Sequence, residues 1–359
     1  MFIYLLYIIM PVVIWALFSL FYREPINTSE RVKRKYVIWC GVALFLIIAL
    51  RHYAVGSGDG SWYYANWRFL SRVSLEQILK GYVNFDIEDG YLVSIWALSH
   101  IFKNPQFIFV FYGLLVSIAV SSFVYKNCKD PTLAFVMFNC LGLWGFMVQG
   151  LRQGIAMSIC LFAFEACKSK KIIKFSALVL FAMLFHASAI VFFAVYALAY
   201  LKMNLRGYLL ATIAVIVILF SLERIFVFIN IVMNEEYVVG EIEASEGGMV
   251  SAIVYILILI AALLLYGPEK EKDSQVSLLF YVTLCGFFMF IMRYFANSIA
   301  QRAAYYYMFG QMALLSTIIV DKLRRERPII TMAAIVLCIG VAFYKASYSV
   351  LVPYYFFWQ

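Results

Sequence analysis

Met147-Val148-Gln149-Gly150-Leu151-Arg152-Gln153-Gly154-Ile155-Ala156 joins two apolar runs, 131–149 and 152–167, with almost no loop between them. Two apolar runs meeting at a charged residue read as a helical hairpin whose turn reaches a membrane surface. Working outward, ten further runs follow the same pattern: 2–22, 36–50, 106–125, 172–185, 187–201, 207–222, 250–266, 277–293, 303–321 and 329–344. The expected fold is therefore all-α, a polytopic helical membrane protein of about 12 transmembrane helices in one integral domain over 1–359. Several runs are shorter than the roughly 20 residues of a straight crossing, which calls for thinned lipid or cover by neighbouring helices.

Composition agrees, with 65% hydrophobic residues, 18% aromatic and 14% charged. The run at 2–22 has no basic leader and no small-residue cleavage site, so it reads as a retained span. Seven cysteines, Cys40, Cys128, Cys140, Cys160, Cys167, Cys285 and Cys338, lie in or beside apolar runs without metal-ligand spacing, and read as small core residues. Neither a metal nor a cofactor is called for.

Basic residues set the expected orientation. Placing 23–35 inside collects Arg31-Lys33-Arg34-Lys35, Lys168-Lys170-Lys171-Lys174 and Lys322-Arg324-Arg325-Arg327 on one face. That face carries 19 Lys and Arg against 9 Asp and Glu, the other 10 against 11, which together make the chain's 29 and 20. The net charge of +9 is thus an inner-surface charge suited to membrane lipid, with no need for nucleic acid. Both termini then face outward. The apolar stretch 91–102 is too short to cross, and letting it cross would invert every later loop, so it reads as a re-entrant or interfacial helix. Two outer-face loops remain, 51–105 and the acidic 223–249.

Five polar residues close apolar runs on that outer face: Arg51, Arg152, His186, Arg293 and Arg302. Each arginine either snorkels to the headgroups or forms part of an anion fork, and guanidinium offers bidentate geometry that ammonium does not. Arg293 and Arg302 bracket a short turn. Tyr305, Tyr306 and Tyr307 are either an interfacial belt or a surface for sugar faces. His186 sits where the chain turns, as a capped turn residue, an anion contact or an acid-base group. Asp59 lies in the glycine-rich Val55-Gly56-Ser57-Gly58-Asp59-Gly60, and Glu88 in Asp86-Ile87-Glu88-Asp89-Gly90-Tyr91. Asp86 and Glu88 also have the chemistry to hold a divalent cation.

The pieces Arg51 with Val55-Gly56-Ser57-Gly58-Asp59 and Tyr63, Glu88-Asp89-Gly90-Tyr91, Arg152-Gln153-Gly154-Ile155-Ala156, Phe185-His186-Ala187-Ser188-Ala189, and Arg302 with Tyr305-Tyr306 resemble, in order and spacing, the EpsG-like, Wzy-type polysaccharide polymerases. The resemblance spans about residues 40–310. It departs at Gly58, which separates Ser57 from Asp59 where the family usually reads Val-Gly-Thr-Asp. What it implies is a glycosyltransferase of GT-C-like architecture in the bacterial cytoplasmic membrane, with its active site facing the periplasm or cell exterior. Such an enzyme transfers a growing glycan from undecaprenyl diphosphate onto the non-reducing end of a lipid-linked repeat unit, as in O-antigen, capsule or exopolysaccharide synthesis. Its partners are the undecaprenyl-diphosphate-linked oligosaccharide donor and acceptor, and a chain-length regulator (polysaccharide co-polymerase). On that reading Arg51, Arg152, Arg293 and Arg302 face the diphosphate, Asp59, Glu88 and His186 are the acid-base residues, and Tyr63, Gln153, Tyr305 and Tyr306 face sugar. The rival class is a flippase or exporter of lipid-linked oligosaccharide. It is disfavoured because charge lies at span ends and not at mid-membrane depth.

Overall fold

A computed structural model describes residues 2–56, 59–81, 87–220, 248–266, 273–323, 325–346, 349 and 351–359, with the side chains of 59, 218–220, 248–251 and 293–299 outside that description. All twelve apolar runs are helical where described: α1 (Phe2–Phe21), α2 (Glu30–Ala49), α6 (Phe107–Asn127), α7 (Pro131–Cys140) with α8 (Leu143–Gln149), α9 (Leu151–Lys168), α10 (Ile172–Met183), a 3-10 turn (Ala187–Phe192) running into α11 (Phe193–Leu198), α12 (Leu205–Phe220), α13 (Gly248–Tyr266), the two halves of α14 (Ser274–Lys322), and α15 (Arg327–Ala346). Three helices of the 51–105 segment complete the set, α3 (Asp59–Leu70), α4 (Leu75–Leu79) and α5 (Asp89–Ile101). The chain is a helical membrane protein. Length and apolarity qualify fewer crossings than twelve. Five helical segments pass among the described residues, or six when α7 and α8, bent by 57°, count as one, and four apolar helices are shorter. The acidic loop 223–249 falls almost wholly outside the described residues.

α7 is the mast of the bundle, with all ten residues buried. Its start is fixed twice over. Pro131 fills the first helical position, and Asp130 caps the helix by accepting from the amides of Thr132 and Leu133, each at 3.1 Å. At its other end Gly142 adopts φ +99°, a conformation that a side chain would strain, and the chain turns into α8. α1 packs on this mast through a repaired defect. Pro11 has no N–H to give Tyr7 four residues earlier, and the vacated Tyr7 carbonyl accepts from Asn139 Nδ2 of α7 at 3.1 Å.

α14 keeps helical backbone over 49 residues, yet its halves lie side by side. A methyl group on Gly286 would sit 3.0 Å from Tyr307 Cβ, and one on Gly310 would sit 2.7 Å from Val282 Cγ1. These are pairs of an antiparallel crossing, so the two expected spans do form a hairpin, joined by helical backbone where a short turn was expected. Close backbone approach at small residues is the usual way helices associate without a hydrophobic driving force.

α3, α4 and α5 form a separate apolar cluster, Tyr63, Trp67, Leu70, Ile78, Tyr91, Ile95 and Leu98, seated on Phe109, Leu151 and Ile155 of α6 and α9. The 13 residues of α5 match the short helix expected at 91–102. The seven cysteines are free thiols, and all but the half-buried Cys285 are buried.

Candidate active site

Four sequence-distant segments converge at one end of the bundle. Glu88 precedes α5, Arg152 opens α9, His186 precedes the 3-10 turn, and Arg302 begins the second half of α14. The join between α5 and the α10 end is a backbone contact. A methyl group on Gly90 would lie 2.5 Å from the Leu184 carbonyl oxygen, so the Glu-Asp-Gly-Tyr sequence needs glycine for Glu88 to reach the His186 turn.

Glu88 uses both carboxylate oxygens. Oε2 accepts from Arg152 Nη1 at 2.6 Å, and Oε1 accepts from the Ala187 amide at 3.0 Å. Arg152 and Glu88 keep 23% and 19% of their side-chain surface exposed, so a ligand can reach the pair. The guanidinium also stands over the Trp62 ring at 5.8 Å.

His186 is buried, and its ring is held by its own turn. Nδ1 accepts from the Ser188 amide at 3.3 Å and lies 2.8 Å from Ser188 Oγ, which in turn is 3.1 Å from the Tyr306 hydroxyl. An Nδ1 that accepts leaves the ring proton on Nε2. Burial pushes the imidazole's pKa down to about 3, and the positive charges of Arg152 and Arg302 push the same way. Nδ1 is 3.8 Å from Glu88 Oε1, but between a neutral ring nitrogen and a carboxylate this is proximity and not an ion pair. His186 is therefore a neutral Nε2–H donor above pH 3 or so.

The other expected site residues divide. Arg302 lies close enough to His186 to suppress its protonation, and its carbonyl accepts from Gln153 Nε2 at 2.8 Å, tying α9 to α14. Arg51, expected beside the diphosphate, is 1% exposed; it donates to the Val55 carbonyl at 3.2 Å and stacks on Phe109 at 4.1 Å. Those contacts belong to a buried corner closed by the C-terminal segment. Of the four residues expected to face sugar, Tyr63, Gln153 and Tyr306 are buried at 2–3% exposure and occupied with neighbouring helices. Tyr305 is half-buried and stacked on Phe146 at 3.8 Å. The buried three are positioned as struts because packing claimed their faces. The side chains of Asp59 and Arg293 lie outside the described residues, as do Ser57, Gly58 and Asp86. Sequence reasoning missed the Ser188 and Ala187 contacts; the one available signal was a serine two residues after His186, at the start of the next apolar run.

The cluster sets two guanidinium groups, a ring N–H donor and one carboxylate near one another, with an opening to the outside. It suits an anion that also brings a hydroxyl. The EpsG family profile matches residues 34–357, nearly the whole chain, while no curated protein and no solved structure matches it. The match takes in all four of the residues brought together here, Glu88, Arg152, His186 and Arg302, and the chain belongs to the EpsG family, a family of Wzy-like polysaccharide polymerases.

Proposed function

We propose that this protein transfers a growing glycan from undecaprenyl diphosphate to the non-reducing end of a lipid-linked repeat unit, at the outer face of the bacterial cytoplasmic membrane. The observation that carries the reading is the Arg152–Glu88 pair with His186 and Arg302 beside it, at the end of the bundle opposite its basic loops. The positive-inside pattern supports the outer-face assignment, and the twelve helical runs support a many-pass GT-C-like body.

In this mechanism the acceptor hydroxyl oxygen forms a bond to the sugar C1 as the C1–O bond to diphosphate breaks. The electron pair leaves with the diphosphate, and the hydroxyl proton passes to a carboxylate. Arg152 and Arg302 meet the growing negative charge, and preorganised donors of this kind contribute about 3 kcal/mol each in a dry site. His186 adds its Nε2–H to the same anion. The entering diphosphate competes for Arg152, which releases one oxygen of Glu88 and makes that carboxylate the base; Asp59 is the second carboxylate proposed for the role. Arg293 is proposed as a further contact of the same diphosphate, while Arg51, sealed in its corner, holds the fold around the site.

Reconstitution with a defined lipid-diphosphate oligosaccharide tests this directly. A product ladder without any nucleotide sugar is the expected result. Movement of the labelled lipid across the bilayer with no change in its length would instead establish the exporter reading.

A further inference from the structure

At the opposite end of the bundle a cleft of about 430 Å³ opens between α1, the segment that follows it and the start of α15. That volume lies in the range of about 300–1,000 Å³ usual for small-molecule sites. Its lining is mostly apolar, with Val12, Trp15, Met332 and Ile335, and is interrupted by a polar wall of Asn27, Asp130, Arg327 and Thr331.

The polar wall is incompletely matched, in a specific way. Asp130 is satisfied, since Oδ1 takes the Thr132 and Leu133 amides while Oδ2 takes Asn27 Nδ2 at 3.0 Å and faces Arg327 Nη2 at 3.5 Å. Asn27 Oδ1 and Thr331 Oγ1 are buried, and neither has a hydrogen-bond partner among the described residues. Thr331 stands one helical turn after Arg327, so both look the same way. A buried acceptor without a donor is unfavourable, and a guanidinium at a long 3.5 Å from its carboxylate has further N–H groups to give. The complementary ligand brings an anionic oxygen for Arg327, hydroxyl groups for Asn27 and Thr331, and a hydrocarbon chain for Trp15 and Ile335. Lys322 and Arg325, close in sequence to Arg327, favour a net negative headgroup over a zwitterion.

We infer that this cleft binds one anionic glycerophospholipid with a hydroxyl-bearing headgroup, of the phosphatidylglycerol type, with its phosphate at Arg327 and its glycerol at Asn27 and Thr331. The site is separate from the Arg152 cluster and does not depend on the polymerase reading.

Native mass spectrometry of the full-length protein, delipidated and then offered equal phosphatidylglycerol, phosphatidylethanolamine and phosphatidylcholine, reads the site directly. The wild type is expected to retain one phosphatidylglycerol in preference to the others. Arg327→Ala lowers that retention about tenfold, and Thr331→Val, which keeps the side-chain shape and leaves Asp130 untouched, about threefold. Thr331→Val is expected to melt with the wild type, and a matched midpoint shows that its loss of lipid is not a loss of fold. Equal retention of the three lipids by the wild type, or undiminished phosphatidylglycerol on both variants, overturns the inference.

Discussion

The two polar ends of this bundle are built from the same residue types to opposite purposes. At the basic end, cations meet acids, and the contacts tie separate helices and loops together. Lys129 pairs with Asp321 at 2.7 Å, Arg327 faces Asp130 at 3.5 Å, and Asn127 bridges Glu165 and Lys168 at 2.7 Å each. At the other end, Glu88 is the one carboxylate the described residues bring to Arg152, with Arg302 also near enough to act on His186. The first arrangement cancels charge and holds helices together. The second keeps a charged pair partly exposed beside a buried, neutral imidazole, within reach of a ligand, which stability alone does not favour.

Substitutions should separate the two ends cleanly. The largest effect is expected from Arg152→Ala, which should lower chain extension about 1,000-fold in the reconstituted ladder assay while the protein melts as the wild type. A ladder of full length from this variant would remove Arg152 from the chemistry. Glu88→Gln should follow at about 100-fold, expressed in kcat more than in KM for the lipid substrate. If the loss lies wholly in KM, Glu88 only shapes the entrance. Asp130→Ala tests the other end. It should lower stability by about 2 kcal/mol through the lost cap of α7, and leave turnover per folded molecule intact.

The smallest effect is a pH slope. Because folding lowers the His186 pKa from 6.5 to about 3, the unfolded chain binds a proton that the folded ring refuses. The stability contribution is whole above pH 6.5 and declines as pH falls from there toward 3, by at most about 1.4 kcal/mol per unit. Unfolding midpoints of wild type and His186→Gln measured between pH 7 and 5 should diverge accordingly; parallel curves would show that the ring is freely protonated in the native protein.

Much of this was legible in the residues. Apolar runs announced the helices of the bundle because bilayer burial leaves few other solutions for a backbone, but not α3 and α4, which lie in the stretch read as loop; Arg152 at a loop-free junction stood out because charge is tolerated only where it can be used or reach water. Which polar residue faces a ligand was less legible. Arg51 and Arg152 look alike as arginines at run ends, yet one is sealed beneath the C-terminal segment and the other is open. Only the packing of distant elements decides that, as with Tyr306, whose hydroxyl is taken by Ser188. The number of crossings was not legible either, for a related reason. Runs such as 172–185 are apolar enough to be buried by neighbours, and the sequence does not distinguish protein from lipid as the surrounding medium.

The C-terminal segment carries a consequence for biogenesis. Arg51 pairs in a short antiparallel bridge with Phe356, His52 donates its amide to the Tyr355 carbonyl at 2.8 Å, and the Tyr354 hydroxyl reaches the Ile47 carbonyl at 2.5 Å. A ribosome finishes residue 51 long before it reaches 356. The second helix must therefore wait in the bilayer with that corner unsealed until residues 354–356 have been made and have reached it, about 300 residues of synthesis later.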